Sequence, residues 1–229
     1  MISIIIPVLN EQEQIIKTIN HLRVNSQKDN VKEIIIVDGG STDNTLLLLS
    51  KYKDCTVLIS EKGRAKQLNF GANFATGKVL YFLHCDSLPP KNFDQLIVEA
   101  VSKEYLSGCF RMRFDSNHLL LKISQWFTRF NVKYFRGGDQ SLFVTKELFD
   151  EISGFNEKYT VYEDNELIYR LYEKSNFKVI QKDITTSSRR YKQNGTWKLQ
   201  FHFMIIHLLY HLKIYNQDQV LKYYRRNIK

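Results

Sequence analysis

Proline is scarce in this chain of 229 residues, with three in all, and glycine numbers only ten. Such a composition leaves no room for a low-complexity linker, and no internal repeat is present. Cysteine is equally rare. Cys55, Cys85 and Cys109 are widely spaced, which fits a reduced cytosolic protein better than a disulfide framework or a zinc site. No stretch reaches about 18 uninterrupted apolar residues, so no membrane-spanning helix is expected. The opening residues 1–10 lack a basic region, and Pro7 to Glu11 break their apolar run. They are expected to form a strand rather than a signal peptide. Acidic residues are nearly missing from one end of the chain. Residues 189–229 carry nine Lys/Arg and a single acid, Asp218, for a net charge of +8, whereas the other 188 residues carry +1. The basic character is therefore a C-terminal property, suited to nucleic acid, an anionic membrane surface or a phosphorylated substrate. Hydrophobic residues make up 43%, enough for a sizeable core in one large domain or two small ones.

The most informative stretch is EIIIVDGGSTDNT, Glu33 to Thr45. A short apolar run ended by turn residues reads as a buried parallel strand. Two glycines supply a tight turn, and Ser41, Thr42 and Asp43 are good N-cap types for a following helix. Asp38 then stands at the C-terminal tip of a buried strand, where ligands bind in open α/β sheets. The plain alternative is that Asp38 only caps the turn.

The rest of the first half repeats this pattern. Strands are expected over residues 2–6 (stopped by Pro7), 34–37, 56–60 and 79–83, and helices over 12–25, 45–53 and 66–75. This alternation predicts an α/β fold with a mostly parallel sheet. After His84 the pattern changes. Helices are expected over 93–103, 119–130, 146–152 and 164–173, an antiparallel strand over 109–114, and short strands over 141–145 and 178–180. A long apolar helix over 197–215 and a shorter one over 217–226 close the chain.

Polar clusters leave several of these strands: Pro7, Asn10 and Glu11 after the first, Asp38 after the second, His84, Cys85 and Asp86 after the fourth. Gly63 and Arg64 precede a helix, where backbone N–H groups and a guanidinium suit phosphate. These tips share one edge of the sheet and are expected to line one crevice. Gly137, Gly138 and Asp139 precede a strand, and Glu163 and Asp164 open a helix, where acids are often mere caps. Arg189 and Arg190 are either solvated surface or a grip on a pyrophosphate.

Taken in this order, the motifs resemble the family 2 glycosyltransferases over nearly the whole chain. ISIIIPVLNE and EIIIVDGGSTDNT are similar to that family's opening motifs. GRAKQLNFGA, FLHCDSLPP, GGDQSLFV, GFNEKYTVYEDNEL and SSRRYKQNGTW together resemble a small bacterial subgroup labelled arsenosugar-biosynthesis-type glycosyltransferases. The resemblance implies a GT-A fold: a Rossmann-like, mostly parallel central sheet flanked by helices, with C-terminal helices. It implies a single domain over 1–229, with a nucleotide-binding half (1–90), an acceptor-side half (91–196) and the C-terminal helices (197–229). Pro7, Asn10 and Glu11 would line the base and ribose, Asp38 would accept from the base, and Arg64 would sit by base or phosphates. Gly63, Gly138, Asp139, Arg189 and Arg190 complete the expected nucleotide-sugar site. Asp86 matches the second acid of the family's Asp-X-Asp, which meets a divalent metal, Mn²⁺ or Mg²⁺, on the pyrophosphate. His84 replaces the first acid, and an imidazole there favours Mn²⁺. Asp164 matches the catalytic base, with Glu163 beside it.

The implied reaction is inverting transfer of a sugar from a nucleotide-diphospho-sugar, UDP-linked by expectation, to an unidentified acceptor hydroxyl. One base without a second nucleophilic carboxylate implies direct displacement. The implied place is the cytoplasm, at the inner face of the membrane if the basic C-terminal segment touches it. Two alternatives come from other classes. One is a glycosyltransferase-like binding protein without catalysis, motivated by His84. The other is a basic nucleic-acid-binding module, which lacks zinc ligands and an aromatic RNA-binding signature, so no nucleic acid is expected. His207 and His211 have a helical metal spacing without a third ligand. Trp197 and the run from Phe201 to Leu212 either pack on the domain or dock on a bilayer. Cys85 reads as a small apolar filler.

Overall fold

The computed structural model describes residues 1–211 and 217–228. One eight-stranded sheet organises them, in the order β3-β2-β1-β4-β7-β6-β8-β5. The strands are β1 Ile2–Val8, β2 Val31–Asp38, β3 Cys55–Ile59, β4 Val79–Phe82, β5 Ser87–Leu88, β6 Ser107–Phe114, β7 Leu142–Thr145 and β8 Phe177–Thr186. The helices are α1 Ile15–Asn25, α2 Thr45–Leu49, α3 Arg64–Phe74, α4 Phe93–Ser102, α5 Leu119–Phe127, α6 Lys146–Glu151, α7 Glu163–Lys174, α8 Arg189–Asn194, α9 Thr196–His211 and α10 Gln217–Asn227.

β1 to β4 pair in parallel. Their crossovers require helices on the sheet faces, so both faces are buried. Ile4 and Ile6 pack with Ile15, Ile19 and Leu22 of α1 on one side. Ile5, Ile35 and Val37 pack with Ala65, Leu68 and Ala72 of α3 on the other. α3 approaches closely because position 71 is glycine: a Cβ there would lie 2.6 Å from Ile5 Cγ2. β1 is the switch point, with β2 on one side and β4 on the other, which opens a crevice at the strand tips.

Pro7 does not stop β1, which continues to Val8 with Pro7 opposite Val37. Ile5 directs its carbonyl at Leu83 N, 3.0 Å away. Pro7, two residues on, faces the same side, where the β4 pairing has already ended at Phe82. Its missing N–H therefore costs no ladder bond.

The second half departs further from expectation. β6 is antiparallel to β7 only at Ser107 and Gly108 and runs parallel to β8 along its whole length. β8 is ten residues long. Its polar Gln181 and Lys182 are the slack of a bulge, since Phe110 pairs with Ile180 and Arg111 with Asp183. The short β5 and the helix α8 carried no periodic signal. Part of the expected last long helix, residues 212–215, lies outside the described residues. α9 and α10 join Phe114, Leu121 and Tyr191 in a separate apolar cluster through Leu199, Ile206 and Val220.

Candidate active site

The loops leaving β1 and β2 are stitched together. Asn10, in the left-handed region at φ 57°, accepts from Thr42 N at 2.7 Å, and its own N–H donates to Ser41 Oγ at 2.8 Å. Glu11 N donates to Thr45 Oγ1 at 2.9 Å. Gln67, from α3, spans the two strand tips, donating to Val8 O at 2.9 Å and Val37 O at 2.7 Å. Nothing in its sequence neighbourhood marked it for this role.

Asp38 is fully buried. Its Oδ2 accepts from Gly40 N at 2.8 Å and Ser41 N at 2.9 Å. Its Oδ1 is buried with no partner. The residue thus closes the turn with one oxygen and holds a second, unspent acceptor.

Beyond these loops a cleft of about 360 Å³ is lined by Asn10, Glu11, Asp43, Arg189 and Arg190. Arg189 Nη2 donates to both oxygens of Glu11, at 3.0 and 3.2 Å. Arg190 bonds Tyr224 OH and lies over the Phe203 ring, 5.7 Å from its centroid. Arg189 is therefore engaged by Glu11 at the cleft, and Arg190 ties α8 to the last helix. Burial pushes the Glu11 carboxyl up, and pairing with Arg189 only partly offsets it.

Next to this cleft lies a cluster of five charged side chains. Arg64, the first residue of α3, reaches Glu163 Oε1 at 3.1 Å and Asp164 Oδ2 at 3.6 Å. Gly63 precedes it at φ 143°, a value that suits glycine. His84, past the end of β4, places Nδ1 3.2 Å from Asp139 Oδ1 and Nε2 3.6 Å from Asp164 Oδ2. Burial and the Arg64 charge act to lower the His84 pKa, but the two carboxylates outweigh them and push it up to about 9. Burial acts to raise Asp164, and contact with His84 and Arg64 overrides it, holding this carboxyl below its usual range. Buried Glu163 goes the other way, raised chiefly by desolvation despite Arg64.

Gly138 makes this packing possible. A Cβ there would stand 1.9 Å from Asp164 Oδ2 and 2.8 Å from His84 Cε1. The helix α7 begins at Glu163, after Tyr162 at φ 75°. Asp164 therefore lies inside the first turn, and its carboxylate faces Arg64 and His84. A pure capping role does not describe it.

Asp86 follows His84 by two residues. Burial and the neighbouring Asp139 raise its pKa, against His84 and Arg189. A carboxylate so placed favours an added cation. Both ring nitrogens of His84 face carboxylates, Nδ1 that of Asp139 and Nε2 that of Asp164. Among the described residues no three His, Cys, Asp or Glu converge as a metal-holding group. The donor set fits a metal carried largely by phosphate oxygens, with Asp86 as a protein ligand. All three cysteines are free and buried, and burial pushes the Cys85 thiol well up, as a filler requires. His207 bonds Tyr162 OH, and the His211 side chain lies outside the described residues.

Comparison with known proteins places this geometry in context. The sequence profile described as "Glycosyl transferase family 2" matches residues 3–161. Glycosyltransferase AglE of Haloferax volcanii is 30% identical over 107 residues, which is 44% of this chain and 35% of that protein. S. aureus TarS 1–349, crystallised with UDP, superposes with a TM-score of 0.66 at 18% identity, over 81% of this chain and 60% of that one. The mannosyltransferase PcManGT of Pyrobaculum calidifontis, in complex with GDP-Man and Mn²⁺, gives a TM-score of 0.70 at 15% identity, over 96% of this chain and 66% of that one. The chain spans about a third of the length of the curated relative it matches. The two structural likenesses show the fold, a GT-A arrangement as expected. With the profile covering well over half of its length, the chain belongs to glycosyl transferase family 2.

Proposed function

We propose that this protein moves a sugar from a nucleotide-diphospho-sugar, UDP-linked, to an acceptor hydroxyl with inversion at the anomeric carbon. The observation that carries the reading is Asp164, a carboxylate in the first turn of α7 held beside the cations Arg64 and His84. Asp164 accepts the acceptor proton as the hydroxyl attacks. Arg64 and protonated His84 offset charge that develops on the leaving diphosphate. Asp38 Oδ1 accepts from the base, and Asn10, Glu11 and Pro7 line the nucleotide. Residues 1–90 serve the donor, 91–196 the acceptor, and 197–229 form the C-terminal helices. A divalent ion, when bound at Asp86, adds charge neutralisation on the diphosphate. The UDP and UDP-GlcNAc bound to the TarS structures support the donor class, and the Mn²⁺ in PcManGT supports metal use. The motif set supports the arsenosugar-biosynthesis-type subgroup, a label that fixes no acceptor. Peripheral contact of the basic C-terminal segment with the cytoplasmic face of a membrane is part of this reading. Among the described residues no helix is long and apolar enough to cross a membrane.

One observation favours a binding-only protein: Asp164 is already claimed by Arg64 and His84. Thermal-shift screening of nucleotide sugars with Mn²⁺, Mg²⁺ and chelator identifies the donor, since a bound ligand raises apparent stability. Hydrolysis and transfer assays on that donor then separate the readings. Transfer or slow hydrolysis is expected. Tight binding with neither reaction over a panel of acceptors would favour the binding protein.

A further inference from the structure

α9 is largely apolar, with Lys198 as its only Lys, Arg, Asp or Glu. Such a helix is normally buried on all sides. Here Leu199 and Ile206 are buried, whereas Trp197, Phe201, Met204 and Leu208 are 54–70% exposed. Their spacing is i, i+4, i+7, i+11, a single outward stripe. Leu119, Ile123, Trp126 and Phe130, on and just beyond α5, repeat that spacing and are 41–71% exposed. Two ring contacts align the segments. His118 meets Trp197 at 6.1 Å, and Tyr134 meets His207 at 6.2 Å. The start of α5 therefore lies against the start of α9, and the segment just beyond α5 lies against the later part of α9, so the two exposed stripes belong to neighbouring elements.

A pocket of about 110 Å³ opens beside Trp126. Four cations line it, Arg111, Arg113, Lys122 and Arg129, against one acid, Asp183. Asp183 is paired with Arg111 at 2.5 Å, and Arg129 lies over the Trp126 ring, 4.9 Å from its centroid. An exposed apolar strip of this extent marks an interaction surface, and the charge beside it selects the partner. A second copy of the chain would bring cations against cations. An anionic bilayer offers hydrocarbon to the strip and phosphate to the pocket. Sixteen residues of helix reach about 24 Å, short of the roughly 30 Å hydrocarbon core, so α9 would lie in the interface rather than cross it. Tryptophan at both stripes suits that depth.

We infer that the α5–α9 face docks on an anionic lipid bilayer, with lipid phosphate seated in the Arg111–Arg129 pocket. The inference rests on the proposed membrane contact of the C-terminal segment and extends it to α5 and β6, which lie outside that segment. It also fixes an orientation. The other side of α9 carries His207 and Tyr210 against Tyr162, the residue before Glu163, so the base end of the site lies next to the docked layer.

Flotation of the full chain with phosphatidylcholine vesicles, with and without phosphatidylglycerol, tests this at low and high salt. Retention by the anionic vesicles alone is expected, with loss at high salt. Arg113→Gln and Lys122→Gln should each weaken it about fivefold, the equivalent of about 1 kcal/mol per cation. Trp197→Ser with Phe201→Ser should remove it while leaving UDP binding unchanged, since neither residue touches the crevice. Equal flotation with both vesicle types would overturn the inference, as would indifference to the tryptophan–phenylalanine variant. So would a concentration-dependent dimer in sedimentation that this variant abolishes, or protection of the pocket by inorganic phosphate without any flotation. Failure of UDP binding alongside normal flotation would sink the UDP-linked donor and leave the docking face standing.

Discussion

His84 Nε2 lies 3.6 Å from Asp164 Oδ2, so the candidate base is held by an imidazole ring. The contact has a pH signature. The His84 pKa is raised from 6.5 to about 9 in the folded protein. Its stabilisation is fully present below the unfolded value near 6.5 and is lost as pH rises through 9. The His84 side chain is 14% exposed, but Asp139 is 52% exposed, so screening trims the effect to about 1–2 kcal/mol. Urea denaturation in chelator from pH 6 to pH 10 should show this decline. His84→Gln should flatten it; an unchanged slope in the variant would remove the assignment.

Asp164→Asn should lower kcat by about 10²–10⁴, with donor affinity nearly unchanged, because the base meets the acceptor. Asn cannot carry the charge that sustains His84, so NMR titration of that ring should also show its pKa falling. Near wild-type turnover on an identified acceptor would end the catalytic claim.

Gly138→Ala tests the same constellation from the backbone side. Its Cβ would overlap the Asp164 carboxylate, and an ångström of displacement at a reacting group costs about 10²-fold in rate. We expect a drop in kcat of that order, a smaller change in donor affinity and a folded protein by circular dichroism. Full activity would mean that Asp164 works from another rotamer.

Asp38→Ala should affect both stability and binding. It removes an acceptor for Gly40 and Ser41 N–H, at about 1–3 kcal/mol. Asp38→Asn can keep one acceptor for the turn and should restore most of the stability, leaving the loss in nucleoside diphosphate affinity that calorimetry would read. If both variants bind as wild type does, Asp38 is only a turn residue.

The parallel half of the fold was legible because its strands are buried on both faces. Ile34 to Val37 is a continuous apolar run, and the turn residues after it mark the tip. β8 was legible only over residues 178–180, since a bulge puts Gln181 and Lys182 where alternation should continue. The sequence order also brought Asp86, Arg64 and Asp164 to one sheet edge, but it could not pair them. Whether His84 meets Asp139, a metal or solvent depends on side-chain directions across 55 residues. The demand for glycine at 138 is a packing demand from Asp164, invisible in the local sequence. Asp38 was legible as a tip residue, yet its inward turn depends on where Gly40 and Ser41 place their amides.

Glu11 and Arg189 meet across 178 residues of chain, and β6 pairs in parallel with β8, from Ser107 with Phe177 to Phe114 with Thr186. Loop-closure entropy makes such distant pairings slow to form. A chain refolding from denaturant can assemble β1 to β4 and their helices from near neighbours, while the crevice still lacks its far wall. Nucleotide capture should therefore lag behind recovery of the far-ultraviolet signal. A nascent chain emerging from the ribosome would hold an open, half-lined crevice until Arg189 had emerged to meet Glu11.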